Sequence, residues 1–227
     1  MLLLPNIYLK KMYKKALCVI DPKPTTKQGK IRQSNLENLG IEIFFEIPEG
    51  TDIVFCGGGL TVLAKYLEKN KISTLVMNGG FVGDNIVPEE DRLDKFNGKK
   101  TISTFNFDLD VNSTDKVLKS DKIDKIILVG KNVCHSKKNT PGGFWDDEES
   151  QNLFAKYKVR KNKLQHDMLM CHEGLCLLKM IDEKPFCEFQ ELYPYNKGLE
   201  GNKTEWGSTR TNEKTPYRKV LAAVRYV

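Results

Sequence analysis

The chain has 227 residues, 40% of them hydrophobic and 29% charged, with a formal net charge of +6. That composition excludes a disordered or fibrous chain and is enough for a single α/β domain spanning residues 1–227. The positive balance favours contact with anions. However, no arginine cluster with interleaved aromatics marks a nucleic-acid surface, and no apolar stretch is long enough to span a membrane.

The opening "MLLLPNIYLKKMYKK" reads as a basic N-terminal extension over residues 1–15, because its apolar run is too short for a signal peptide and its lysines follow that run. The six cysteines, Cys18, Cys56, Cys134, Cys171, Cys176 and Cys187, form no C-x-x-C pair. Several lie inside apolar segments, so a reduced, cytoplasmic protein is expected.

Short apolar runs then recur as expected strands: "KALCVID" ending at Asp21, "IEIFFEI" at 41–47, "TDIVFCGGG" at 51–59, "ISTLVMNGG" at 72–80 and "KIDKIILVG" at 122–130. Most stop at Gly or Asp. Helices are expected between them. "LTVLAKYLEKN" (60–70) puts Leu60, Leu63, Ala64 and Leu67 on one face, and "VNSTDKVLKS" (111–120) starts with Asn and Ser as candidate N-caps. Asp110, just before it, reads as a helix cap rather than a catalyst.

The polar stretch 134–150 is expected to be a loop or lid, followed by a helix from Asp146 to Val159 whose acidic start matches the dipole. A further helix is expected to begin at "LQHDMLM" (164–170). "CHEGLC" (171–176) fits no standard zinc spacing and reads as buried helix with a turn at Gly174. The lysine-rich runs at 10–15 and 158–163 read as solvated faces, and Val220–Val227 as a last strand after a turn at Pro216.

Strands alternating with helices imply βαβ units and a mainly parallel, doubly wound sheet flanked by helices. Ligands bind such sheets at the carboxyl ends of the strands, where Asp21, Gly57–Gly59 and Met77–Gly80 should converge. "GGG" at 57–59 lacks the Lys-Ser/Thr of a phosphate loop. Taken alone, His166 and Asp167 could simply open a helix.

The order of the motifs goes further. "GGGLTVLA" (57–64), "VMNGGFVGDNIVP" (76–88), "FNFDLDVNSTDKVL" (105–118), "LQHDMLM" and "GSTRTN" (207–212), the last read as a turn before the final strand, follow one another as corresponding segments do in a known family. The chain resembles the calcium-dependent nucleoside hydrolases, the inosine–uridine-preferring nucleoside N-ribohydrolases, over roughly residues 16–227.

The resemblance implies a nucleoside-hydrolase-like fold and hydrolysis of the N-glycosidic bond of a nucleoside or related N-riboside. It implies a calcium ion held by Asp21, Asp167 and a backbone carbonyl of Gly57 or a neighbour in the Cys56–Gly59 turn. His166 would protonate the leaving base, and Met77, Asn85 and Asn106 would line the substrate. A homo-oligomer is compatible with it.

The sequence also departs from the family. Thr25 and Thr26 stand where the paired aspartates are expected, and threonine is a weak, uncharged ligand that cannot take a proton from water near neutral pH. Thr104 stands in place of a glutamate, and the segment after the first helix is compressed. Asp84 and Asp108 are the carboxylates that could replace those lost. The alternative is therefore a catalytically inactive relative, acting as a nucleoside- or nucleotide-binding protein or as a structural partner.

Overall fold

The structure is a computed structural model that describes residues 17–19, 42–136, 161–198, 204–210 and 217–227, with isolated positions 30, 33, 34, 37, 38, 148 and 152. In chain order the strands are β1 (Leu17–Val19), β2 (Glu42–Phe44), β3 (Ile53–Cys56), β4 (Ile72–Asn78), β5 (Thr101–Ser103), β6 (Ile123–Val129), β7 (Cys187–Gly198), β8 (Thr204–Thr209) and β9 (Val220–Tyr226). The helices are α1 (Thr61–Tyr66), α2 (Phe105–Asp108), α3 (Val111–Lys119), α4 (Lys131–Cys134) and α5 (Lys161–Leu177).

Seven strands form one sheet in the order β3-β4-β6-β9-β7-β8-β5, while β1 and β2 pair separately and in parallel. The β3-β4, β4-β6 and β6-β9 pairings are parallel. Those of β9-β7, β7-β8 and β8-β5 are antiparallel. The sheet is thus mixed, with the expected parallel core flanked by helices and an antiparallel wing beside it.

The period-two alternation of strand side chains accounts for the two cores. Leu75, Met77, Ile126, Leu128, Ala222 and Val224 face α1 and α3, where Leu63, Val117 and Leu118 meet them. Val76, Ile127, Val129 and Ala223 face the other way, onto Leu169 and Met170 of α5. A strand buried on both faces must be apolar throughout, and β4 and β6 are nearly so.

Helix α3 starts where the chain offers a cap. Asp110 Oδ1 accepts the Ser113 N–H at 3.0 Å and Oδ2 accepts the Ser113 hydroxyl at 2.6 Å, with the Thr61 hydroxyl also donating to Oδ2 at 2.9 Å. Asp110 is therefore the cap, and Ser113 is a donor to it rather than the cap expected at Asn or Ser.

Helix α5 differs from expectation at both ends of its motifs. It begins at Lys161, so Asp167 lies about two turns inside and is not an N-terminal residue. It runs through Gly174 without a turn, and a Cβ there would come within 2.7 Å of Phe55 and Val76. Glycine is what lets the helix approach β3 and β4.

"GSTRTN" is not a turn at its start either: Gly207, Ser208 and Thr209 belong to β8 and pair with Tyr195, Pro194 and Tyr193 of β7. Cys134, expected in a loop, ends α4 instead. Asp21, Thr25, Thr26, Pro216 and the expected helix over 146–159 lie outside the described residues, apart from positions 148 and 152.

Candidate functional site

Three chain segments meet at the carboxyl end of β4. Asn78 is the last residue of that strand, and alternation from Val76 turns its side chain toward α5. There the Asn78 Nδ2 donates to Asp167 Oδ1 at 3.2 Å. Asp167 is 1% exposed, and a carboxylate so placed needs polar partners.

The Asn78 backbone carbonyl accepts the Asn106 Nδ2 at 2.6 Å, which brings the start of α2 to the same point. The Cys134 thiol lies 3.9 Å from Asn78 Oδ1 and 3.6 Å from the Val129 carbonyl. Burial, and then the Asp167 and Glu173 carboxylates, push that thiol far above its ordinary range. Cys134 is thus a small buried packing group, not a nucleophile.

His166 is partly exposed beside Asp167. Its ring lies 4.8 Å from that of His135, which in turn meets Phe96 edge-on at 5.6 Å, and Phe96 meets Phe81 at 5.3 Å. Burial, and then the nearby His166, Lys95 and Lys131, hold His135 down at about 3. Its imidazole is therefore neutral across the physiological range and cannot serve as an acid there.

Of the residues expected at the site, Asp167 and Asn106 both bond Asn78, and His166 is the neighbour of Asp167 in α5. The Met77 side chain does not join them: it is fully buried on the opposite face of the sheet, in the α1–α3 core. Gly57 is buried just past β3, where the Cys56 thiol reaches toward the Gly58 and Gly59 carbonyls. Asn85 is exposed and donates to the Ser208 carbonyl at 3.4 Å.

Asp84 binds the Gly98 N–H and so shapes the loop before β5. Asp108 accepts the Ser103 hydroxyl. His135 and Lys131 were not singled out from the sequence, and Asn78 only as part of the Met77–Gly80 strand end. For Asn78 the available signal was a polar residue closing an apolar run immediately before Gly-Gly.

No protein-family model matches the chain, and no curated protein matches it. Among solved structures, it is similar to an inosine–uridine-preferring nucleoside hydrolase from Bacillus anthracis, with 17% identity over 92% of this chain and 71% of that chain, and a TM-score of 0.48. At that distance the likeness carries no argument for this chain.

Calcium asks for six to eight oxygen ligands. Among the described residues, no group of three or more His, Cys, Asp or Glu side chains is placed to hold a metal ion, and Asp167 Oδ1 already receives an N–H from Asn78. Asp21, the other carboxylate expected to hold calcium, lies outside the described residues. No helix among them is long and apolar enough to cross a membrane.

Proposed function

We propose that the protein binds a nucleoside or related N-riboside at the carboxyl end of β4 and hydrolyses its N-glycosidic bond. The observation that carries this reading is the buried Asp167 carboxylate, held by the Asn78 amide at the end of a parallel strand, with His166 beside it. Ligands bind parallel sheets at such ends, and the motif order of the sequence points to the same place.

In the reaction the bond from C1′ to the base nitrogen breaks, and the oxygen of water forms a new bond to C1′. The water gives up one proton to bulk solvent, and the base nitrogen gains one from an acid that solvent reprotonates. C1′ gains positive charge on the way, and a fixed carboxylate nearby stabilises it. Asp167 fills that role. His166 supplies the proton to the departing nitrogen, a contribution of roughly 10²–10⁴-fold. Asn106 spends its Nδ2 on the Asn78 carbonyl, which leaves its Oδ1 to receive a sugar hydroxyl. No step here runs through a metal.

A second reading, binding without turnover, is favoured by Thr25 and Thr26 in place of the paired aspartates. One experiment separates the two. The purified chain is titrated calorimetrically with inosine, uridine, adenosine, guanosine and cytidine, and base release is followed by chromatography, with and without calcium. Release that His166→Ala lowers by about 10²-fold or more while binding persists supports hydrolysis. Binding without release supports the second reading, and neither binding nor release overturns both.

A further inference from the structure

Of the six described lysines whose side chains bond a protein oxygen, three meet carboxylates and three, Lys95, Lys122 and Lys131, meet backbone carbonyls. Lys65 meets Glu46 at 2.7 Å, Lys119 meets Asp115 at 3.7 Å and Lys219 meets Glu191 at 2.8 Å. Lys95 and Lys131 both lie beside the site, and Lys95 reaches the carbonyl of His135, one helical turn on from Lys131. Lys131 follows β6 after Gly130, and its Nζ donates to the Ser103 carbonyl at 2.7 Å. Lys95 lies over the Phe96 ring, 5.1 Å from its centroid, and its Nζ donates to the His135 carbonyl at 3.4 Å.

Each ammonium has three N–H donors and spends one. Neither has a carboxylate oxygen within 4.0 Å among the described residues. Asp108 is the acid that faces Lys131; its Oδ2 is engaged by Ser103, and its buried Oδ1 has no hydrogen-bond partner.

Like charges are gathered here rather than dispersed. Burial first, and then the neighbouring Lys131, lower the pKa of Lys95. Burial lowers that of Lys131, against the pull of Asp108. His135 is kept neutral by burial, His166 and the same two lysines. A solvated lysine face would spread out to avoid such repulsion, whereas Lys131 is anchored at the end of β5 and only partly exposed. An anion between the two ammonium groups would relieve the repulsion and take up their unused donors.

The same residues border the candidate site. Lys131 opens the α4 helix that ends in Cys134, His135 touches His166, and Ser103 precedes the Thr104–Asn106 stretch. We propose that Lys95 and Lys131 seat the phosphate of a phosphorylated N-riboside, so that the substrate class is a nucleotide rather than a free nucleoside. This rests on the riboside reading of the neighbouring site, and it adds the phosphate group to it.

The test is calorimetric titration of the full chain with uridine and inosine, their 5′- and 3′-monophosphates, ribose 5-phosphate and inorganic phosphate, at low and high NaCl. At least one monophosphate is expected to bind tenfold or more tightly than its nucleoside. That advantage should shrink with salt and vanish in the Lys95→Gln/Lys131→Gln variant. Lys131→Arg, which keeps the charge, should retain most of it. Lys95→Gln alone alters an exposed side chain and should reduce it without touching the fold.

Nucleosides binding as tightly as their phosphates overturns this inference and leaves the riboside reading standing. A phosphate advantage that survives in the double variant overturns it as well. Inorganic phosphate binding at the lysines with no riboside binding at all overturns both.

Discussion

The half of α5 beyond the site carries a second buried polar cluster, and removing its centre should unfold the protein more readily than any surface change. Glu173 is fully buried. Its Oε1 accepts the Phe186 N–H at 2.8 Å, and its Oε2 accepts the Cys187 N–H at 3.0 Å. His172 Nδ1 lies 3.0 Å from the same Oε1. The carboxylate thereby ties α5 to the first residue of β7.

Glu173→Ala removes the carboxylate that accepts two backbone N–H groups, at about 1–3 kcal/mol each where they are buried, and deprives the imidazole of one partner. The loss should total about 3–5 kcal/mol, as for one partner removed from a buried charged network. With a urea m-value of about 2–3 kcal/mol/M, the unfolding midpoint should fall by roughly 1–2.5 M. Glu183→Ala removes only an exposed carboxylate from the other side of His172 and should cost about 1 kcal/mol or less. Equilibrium urea unfolding followed by circular dichroism measures both. If Glu173→Ala lies within 1 kcal/mol of the parent, or if Glu183→Ala costs as much, the network does not hold α5 to the sheet.

The same cluster sets a pH dependence. Burial alone would lower the His172 pKa, but the hydrogen bonds and charges of Glu173 and Glu183 together raise it, since the imidazolium can donate from both ring nitrogens. A raised folded-state pKa means that the contribution is complete below the ordinary histidine value of about 6.5 and is lost as pH rises through the raised value. The stability difference between the parent and His172→Gln should therefore shrink from pH 5.5 to pH 9. A difference that holds constant or grows refutes this. Gly174→Ala should also destabilise, because its Cβ would press within 2.7 Å of Phe55 and Val76. Overpacking at about 1–3 kcal/mol outweighs the roughly 1 kcal/mol of helix propensity gained, and a raised melting temperature in that variant would contradict the packing described.

Sequence reasoning found the parallel core because β4 and most of β6 are buried on both faces and the half-buried β3 is apolar throughout, so that each reads as an apolar run. It missed the antiparallel wing. Strand β7, "CEFQELYPYNKG", mixes charges with apolar residues and contains Pro194, which argues against a strand. Pairing with β9 ends at Leu192, so at Pro194 only the β8 ladder remains, and a residue without an N–H is accommodated there. β5 has three residues and β8 holds Gly207, too little for a periodic signal.

At the site, the His166–Asp167 pair was legible as polar residues in an apolar helix. Their partners were not, because Asn78 lies 89 positions from Asp167 and nothing local links the two. Met77 shows the limit of reading a strand end as a unit: neighbouring residues face opposite sides, so the adjacent Asn78, not Met77, reaches the site.

The position of β9 has a consequence for how the chain assembles. Residues 220–226 lie between β6 and β7, joining the parallel half of the sheet to the antiparallel half. During synthesis, β6 is made about ninety residues before the strand that covers its free edge. The α/β half can therefore collapse on the ribosome only as an open sheet, with an apolar edge of the kind that pairs with other chains. Slow, long-range closure is the costly step in such topologies. A nascent chain stalled before Val220 should therefore be recognised by chaperones, and the arrival of residues 220–226 should act as the lock that joins the two halves.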